Sequence, residues 1–177
     1  SNEQGHYPQV IALSATLVVA GYVDNNLANF YVIAGSISGT TITWGTAVLQ
    51  ASSVSYTTSF SVSRLSATEF IVATSGNSAS VLSNYGSVSG TTITLGTQIT
   101  YSGGGAAIYS TMSYPISSTS ALVVFYDSTG ANNKPYAFVL TKSGTALTRG
   151  TVYTIATSPT PTGSDASPFS LKGFVAF

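Results

Sequence analysis

The stretch SGTTITWGT at residues 38–46 recurs as SGTTITLGT at residues 89–97, and a more divergent copy, SGTALTRGT, occupies residues 143–151. A fixed period of this length indicates that one supersecondary unit has been copied along the chain. Short apolar runs follow the same period at successive offsets of 53, 52 and 52 residues: Leu17-Val18-Val19, Phe70-Ile71-Val72, Leu122-Val123-Val124 and Phe174-Val175-Ala176.

Each repeat is typical of four antiparallel strands. Polar and apolar residues alternate at residues 59–63, as in a half-buried strand. The β-branched runs that follow each Ser-Gly pair indicate a turn and then a strand. In the second repeat we expect strands over residues 69–74, 80–88, 91–101 and 107–116. Four such strands in one period match the size of a β-propeller blade.

The two ends of the chain are out of phase with whole blades. Residues 9–12 are typical of the fourth strand of a preceding blade, and residues 174–177 of the first strand of a following blade. The prediction is an all-β, single repeat domain over residues 1–177 with overhanging terminal strands. Its repeats cover about 13–64, 65–116 and 117–168, and a fourth begins at 169–177.

Three blades do not close a propeller, and an open blade edge must be paired or covered. Other chains could complete the ring of blades, or the three blades could be part of a longer array of repeats. The alternative is a closed threefold fold, a β-trefoil or a β-prism.

The composition excludes several classes of partner. Charged residues make up 6% of the chain, against about 25% in an average protein, and the net charge is zero. The five basic residues are dispersed, so no basic stripe for nucleic acid exists. No apolar run approaches the roughly 20 residues of a spanning helix, and we expect no membrane insertion. Ser and Thr replace charges as surface residues, a composition associated with extracellular proteins and virion surfaces.

Catalytic and metal-binding groups are scarce. Cysteine is absent and His6 is the single histidine. Few residues are therefore available to form a catalytic nucleophile with its general base. Asp24 and Asp127 follow equivalent strands, where aspartate commonly accepts hydrogen bonds in turns. We therefore expect no enzymatic activity, no metal site and no cofactor.

Carbohydrate binding is the strongest ligand signal. Sugars pack on aromatic rings, and their hydroxyls donate hydrogen bonds to carboxylates and both donate to and accept from amides. Two clusters carry these groups after equivalent strands: Tyr22, Asp24, Asn25 and Asn26 in the first repeat, and Tyr126, Asp127, Asn132, Asn133 and Tyr136 in the third. The competing interpretation is that Tyr fills strand faces and Asn forms turns.

The repeat resembles blades found in multi-repeat proteins of phage particles and bacterial surfaces. The resemblance rests on the run at residues 122–127 and on the motif at residues 86–97, and it covers nearly the whole chain. It implies a blade fold and a place in a particle or surface layer. Arg149 departs from the pattern, since it replaces Trp44 and Leu95, and no functional residue is carried over.

Two functions follow as expectations. The first is a non-enzymatic structural or assembly module of a virion, fibre or cell surface, present as a homo-oligomer or beside neighbouring repeats of a larger assembly. The alternative is a lectin-like module that attaches to glycans through the repeated Tyr, Asn and Asp turns.

Overall fold

The fold consists of strands throughout the part of the chain that the structure describes. The computed structural model describes residues 5–24, 28–52, 54, 59–76, 79–103, 108–127 and 134–155. Its strands are β1 (Gly5–Ser14), β2 (Leu17–Asp24), β3 (Asn29–Ser38), β4 (Thr41–Trp44), β5 (Val48–Ala51), β6 (Phe60–Arg64), β7 (Glu69–Gly76), β8 (Ser80–Ser89), β9 (Thr92–Leu95), β10 (Ile99–Ser102), β11 (Ile108–Ser117), β12 (Ser120–Asp127), β13 (Lys134–Ser143), β14 (Ala146–Arg149) and β15 (Tyr153–Thr154). The all-β class is confirmed.

The strands form three similar antiparallel sheets of five strands each. Sheet 1 holds β1 to β5, sheet 2 holds β6 to β10 and sheet 3 holds β11 to β15. In each sheet three strands run as a meander, and two short strands in succession both pair with the third. The short pair is one outer strand that breaks at the Gly-Thr of the nine-residue motif. Each sheet is thus a four-stranded blade with an interrupted outer strand, as the repeat predicted.

The Ser-Gly-Thr part of the motif forms the hairpin that leads into each outer strand. Ser38 pairs with Thr41, so Gly39 and Thr40 alone form the turn. Gly39 has a φ of 60°, a conformation that a residue without a Cβ adopts at little cost. The matching glycines, Gly90 and Gly144, have φ values of 61° and 60°.

The blade boundaries differ from the predicted ones. Residues 9–12 belong to β1, which pairs with β2, so they open the first blade and do not close a preceding one. Residues 108–117 form β11, which pairs with β12 and opens sheet 3. Two-residue turns join both pairs, and such short turns keep neighbouring strands in one sheet. A repeat period alone does not say where the unit begins. The predicted strand at 174–177 lies outside the described residues.

Strand pairing also corrects the alignment of the apolar runs by one residue. Leu17 pairs with Ser36 and Glu69 with Ser87, and both pairs precede the same Ser-Gly turn by the same distance. Leu17 therefore matches Glu69, at an offset of 52, and Val18 matches Phe70. The one-residue difference matters because successive residues of a strand point to opposite faces of the sheet.

The sheets stack in a row, and two apolar cores lie between them. We call the face that points toward the lower-numbered sheet the N face, and the opposite one the C face. The C face of sheet 1 packs on the N face of sheet 2, with Val19, Phe30, Val32, Phe70 and Val72 fully buried. The C face of sheet 2 packs likewise on sheet 3.

The more extensive strand contacts join sheet 1 to sheet 2 and sheet 2 to sheet 3, and none of comparable extent among the described strands joins sheet 1 to sheet 3. Sheets 1 and 3 are therefore the two ends of an open row within the described residues. A closed β-trefoil or β-prism, the alternative prediction, is not what this arrangement shows.

Candidate functional site

The first predicted sugar cluster is only partly at the surface. Tyr22 lies on the N face of sheet 1, half-buried, and stacks on Tyr31 with ring centroids 5.7 Å apart. Asp24, at the end of β2, is buried. Asn25 and Asn26 lie outside the described residues. The structure therefore shows a half-buried aromatic pair on the same sheet face as a buried carboxylate.

The second predicted cluster lies largely inside the protein. Tyr126 and Asp127 are buried, Tyr136 is half-buried, and Asn132 and Asn133 lie outside the described residues. Tyr136 stacks on Phe125, across the strand pair, with centroids 5.6 Å apart.

The residues that are structurally equivalent in the two clusters are not all the ones that the sequence predicted. Tyr22 pairs with Tyr31 across β2 and β3, as Phe125 pairs with Tyr136 across β12 and β13. The residue that matches Tyr22 is therefore Phe125, and the proposed match with Tyr126 is wrong by one residue and one sheet face. Asp24 and Asp127 do occupy matching positions, the last residue of β2 and of β12.

The Phe125–Tyr136 pair belongs to the contact between sheets 2 and 3. Tyr101 of sheet 2 packs on Phe125 at 4.9 Å, and the Arg149 guanidinium lies 5.3 Å from the centre of the Tyr101 ring. Burial is the main cause that raises the pKa of Tyr101, and the nearby Asp127 carboxylate adds to it. Tyr136, which the sequence suggested as a sugar-binding residue, thus packs with Phe125 in the contact between two sheets.

An ion pair joins the same two sheets at the other end of the strands. Lys142 Nζ of sheet 3 donates to Glu69 Oε1 of sheet 2 at 2.5 Å, and the Tyr85 hydroxyl donates to the same oxygen at 2.6 Å. The hydrogen bond from Lys142, followed by that from Tyr85, lowers the pKa of Glu69 from 4.5. Burial is the larger cause, and the bond to Glu69 the next, that raises the pKa of Tyr85 to about 12.

The lowered pKa gives Glu69 a pH-dependent part in stability. A carboxyl with a depressed folded-state pKa stabilises the fold above its unfolded pKa and loses this effect as pH falls through the folded value. We expect Glu69→Gln to lower the free energy of unfolding by about 1 kcal/mol at pH 7. The difference from the wild type should begin to fall as the pH drops below about 4 and should disappear once the pH is below the lowered folded pKa of Glu69. Urea titrations at several pH values measure this, and a difference independent of pH would contradict the role of the charge.

A buried amide network joins sheets 1 and 2. Gln50 Nε2 of sheet 1 donates to Asn84 Oδ1 of sheet 2 at 2.8 Å, and Asn84 Nδ2 donates to the Gly96 carbonyl at 2.9 Å. Gln98 Nε2 reaches back to the Gln50 carbonyl at 2.8 Å. These bonds satisfy the Asn84 amide and the Gln50 Nε2 group, which would otherwise be costly to bury, whereas Gln50 Oε1 is buried without a hydrogen-bond partner in the described part of the chain.

The last glycine of the nine-residue motif forms the closest contact between neighbouring sheets. An ideal Cβ on Gly45 would lie 2.1 Å from the carbonyl oxygen of Thr91, in the turn of the next sheet. A Cβ on Gly96 would lie 2.2 Å from the carbonyl oxygen of Thr145, one sheet further on. At both contacts the motif of one sheet receives the Ser-Gly-Thr turn of the next. We call this contact the Gly–Thr interlock.

Sheet 3 carries the same glycine, and among the described residues no turn of another sheet lies against it. A Cβ on Gly150 would have one neighbour, the Val139 carbonyl oxygen of its own sheet, at 3.4 Å. At the other end of the row, Thr40 in the turn of sheet 1 is exposed. None of the described glycines has the Thr40 carbonyl among its nearest neighbours. Within the described residues, the row thus ends in two unpaired halves of an interlock.

The N face of sheet 1 exposes apolar residues that are covered in the other sheets. Ile42 is 45% exposed, whereas the matching Ile93 and Leu147 are 6% and 7% exposed. Val10 is 62% exposed, whereas Val62 at the same place in sheet 2 is 4% exposed. Trp44 lies between them over Gly35 and is also exposed. The cause is that sheets 2 and 3 each have a sheet packed on their N face, whereas no described residues form a sheet on the N face of sheet 1.

The C face of sheet 3 repeats this pattern at the other end. Tyr153 is 67% and Ile155 is 56% exposed, although the matching Ile99 and Tyr101 of sheet 2 pack into a core. The same face also exposes Met112, Tyr114, Ile116 and Val139. Contiguous exposed apolar surface of this kind marks interaction sites.

Sequence reasoning missed the interlock and the two end faces. The signal for the interlock was present, because glycine is kept at Gly45, Gly96 and Gly150 while the residue before it changes from Trp to Leu to Arg. The end faces had no such signal, since the same residue types fill covered and uncovered positions.

The described residues hold no group of three or more His, Asp or Glu side chains that could bind a metal ion. In that part of the chain there is also no helix with the length and apolar character that crossing a membrane demands. The chain matches no family model, no curated protein and no solved structure. The fold and the site thus define a class, a stacked array of blade-like antiparallel sheets with two apolar ends.

Proposed function

We propose that this chain is a non-enzymatic structural module that assembles through the apolar end faces of its row of sheets. The observation that carries the proposal is the contrast between matching positions. Ile93 and Leu147 are buried between sheets, and Ile42 is exposed at the end of the row. Burial of such residues is the main favourable term in protein association.

The larger context that we propose is a virion, a fibre or a cell-surface layer, outside the cell. The support is the resemblance of the repeat to blades of phage and bacterial surface proteins, together with the low charge content. A surface of Ser and Thr with few charges gives little electrostatic repulsion between copies, which suits close assembly.

Electron microscopy of negatively stained protein tests the assembly role. We expect closed rings or stacks that are larger than one three-sheet unit. Isolated three-sheet units at all concentrations would contradict an assembly function.

Glycan binding is the second candidate, favoured by the stacked Tyr22–Tyr31 pair at the N face of sheet 1. The two functions compete for this face, because an assembled neighbour would cover the rings. We expect a glycan array to show binding that is lost in Tyr22→Ala and kept in Tyr153→Ala, a matched control at the opposite end. No signal for the wild type, or equal loss in both variants, would contradict a sugar site at this pair.

A further inference from the structure

We propose that the N face of sheet 1 binds the C face of sheet 3 of a second copy of this chain, so that copies join head to tail in the geometry that already joins the sheets within one chain. This inference rests on the proposed assembly function and identifies its partner and its contact. Two copies joined in this way supply six sheets, within the range of about four to eight blades found in closed propellers.

The Gly–Thr interlock gives the first argument. Within the chain it is formed twice, by Gly45 with the Thr91 carbonyl and by Gly96 with the Thr145 carbonyl. Among the described residues, the end faces hold the two missing partners of a third interlock: Gly150 on sheet 3 has no turn of another sheet near it, and no glycine lies against the Thr40 carbonyl on sheet 1. A second copy placed by the same geometry brings the Thr40 carbonyl onto Gly150.

Apolar complementarity gives the second argument. The position before the motif glycine is Trp44, Leu95 or Arg149, and at the two internal contacts it faces the preceding sheet. Leu95 joins the core between sheets 1 and 2, and Arg149 lies on the ring of Tyr101. The residue of sheet 3 that matches Tyr101 is Ile155, so Trp44 of one copy would cover Ile155 of the other. Two exposed apolar side chains would leave water together.

The charges give the third argument. The internal contact between sheets 2 and 3 contains an ion pair, Lys142 with Glu69. By strand pairing, the matching positions at the proposed contact are Ile37 on the N face of sheet 1 and Ser120 in sheet 3. Neither residue is charged, so docking leaves no unpaired charge at this position, where one would be strongly unfavourable.

Two substitutions, each confined to one end face, test the contact. Ile42→Glu places a charge on the N face, and Tyr153→Glu places one on the C face. Thr43→Glu and Thr154→Glu are matched controls, because these exposed residues lie on the same strands and point to the opposite faces. Sedimentation velocity gives the mass of each variant alone and in equimolar mixture, and thermal unfolding monitored by circular dichroism confirms that each variant is folded.

The expected result is that the wild type and both controls are assembled, and that each end-face variant alone sediments as one chain of 18.1 kDa. The equimolar mixture should regain a complex of two chains, because one variant keeps an intact C face and the other an intact N face. Gly150→Ala should also give single chains, and it covers the case in which Ile42→Glu fails to fold.

Three outcomes would overturn the inference. If both end-face variants remain assembled, another surface joins the copies, and a structural role stands without the end faces that we propose for it. If Ile42→Glu alone dissociates, the N faces pair with each other. If the wild type itself sediments as a single chain, the proposed function fails together with the inference.

Discussion

Gly45→Ala and Gly96→Ala are each expected to lower the free energy of unfolding by about 3 kcal/mol, the upper part of the range for overpacked sites. The added methyl group would lie 2.1 or 2.2 Å from a backbone carbonyl oxygen of the next sheet. Backbone in a paired strand or a tight turn has little freedom to move aside, so neighbouring sheets must separate locally. The cost is steric, because both glycines have ordinary backbone angles and not the left-handed conformation.

Gly150→Ala is the matched control for these two variants. Its methyl group would meet one oxygen at 3.4 Å, an ordinary contact. We expect its free energy of unfolding to equal that of the wild type or to exceed it by a few tenths of a kcal/mol, since alanine restricts the unfolded chain more than glycine. Urea unfolding under conditions where each protein is a single chain measures all three. Equal stability of Gly45→Ala and Gly150→Ala would contradict the interlock.

Phe70→Ala is expected to lower the free energy of unfolding by about 4 kcal/mol, a typical cost for removing a buried aromatic ring. The Phe70 side chain is fully buried between sheets 1 and 2, and it lies so close over Gly86 that a Cβ there would be 2.2 Å from its ring. Neighbouring backbone cannot fill the space that the ring leaves.

Trp44→Ala provides the comparison, because Trp44 lies over Gly35, the residue that matches Gly86, at the open end of the row. Since this ring is half exposed, its removal should cost about 1 kcal/mol in a single chain. Denaturant titrations of the two variants measure the difference. A cost at Trp44 as large as that at Phe70 would show that the N face of sheet 1 is already covered within one chain.

The sequence was sufficient to predict the repeated blade because the blade is specified locally. A two-residue turn at Gly39-Thr40 and the alternation within each strand depend on neighbours in the chain. The boundaries of the blade were not predictable in this way. The sequence of residues 9–12 fits the first strand of a blade as well as the last strand of a preceding one. Only the pairing of β1 with β2 places these residues in the first blade.

The predicted sugar clusters show why the site was harder to predict. Tyr22 and Tyr126 both lie in a Tyr-and-Asp context near a strand end, yet they point to opposite faces of their sheets because their positions differ by one residue. The exposure of Ile42 and the burial of Ile93 depend on whether a sheet stands in front, which is a long-range property. Identical motif residues therefore have different roles at the end and in the middle of the row.

The most direct test of the account is the absolute mass of the wild-type chain in solution, measured by light scattering after size exclusion over a wide concentration range. The account predicts a defined mass of at least twice the 18.1 kDa of one chain, because both end faces bury their apolar residues against another copy. A mass of 18.1 kDa at every concentration would contradict it, and the exposed N and C faces would then have no role in self-assembly.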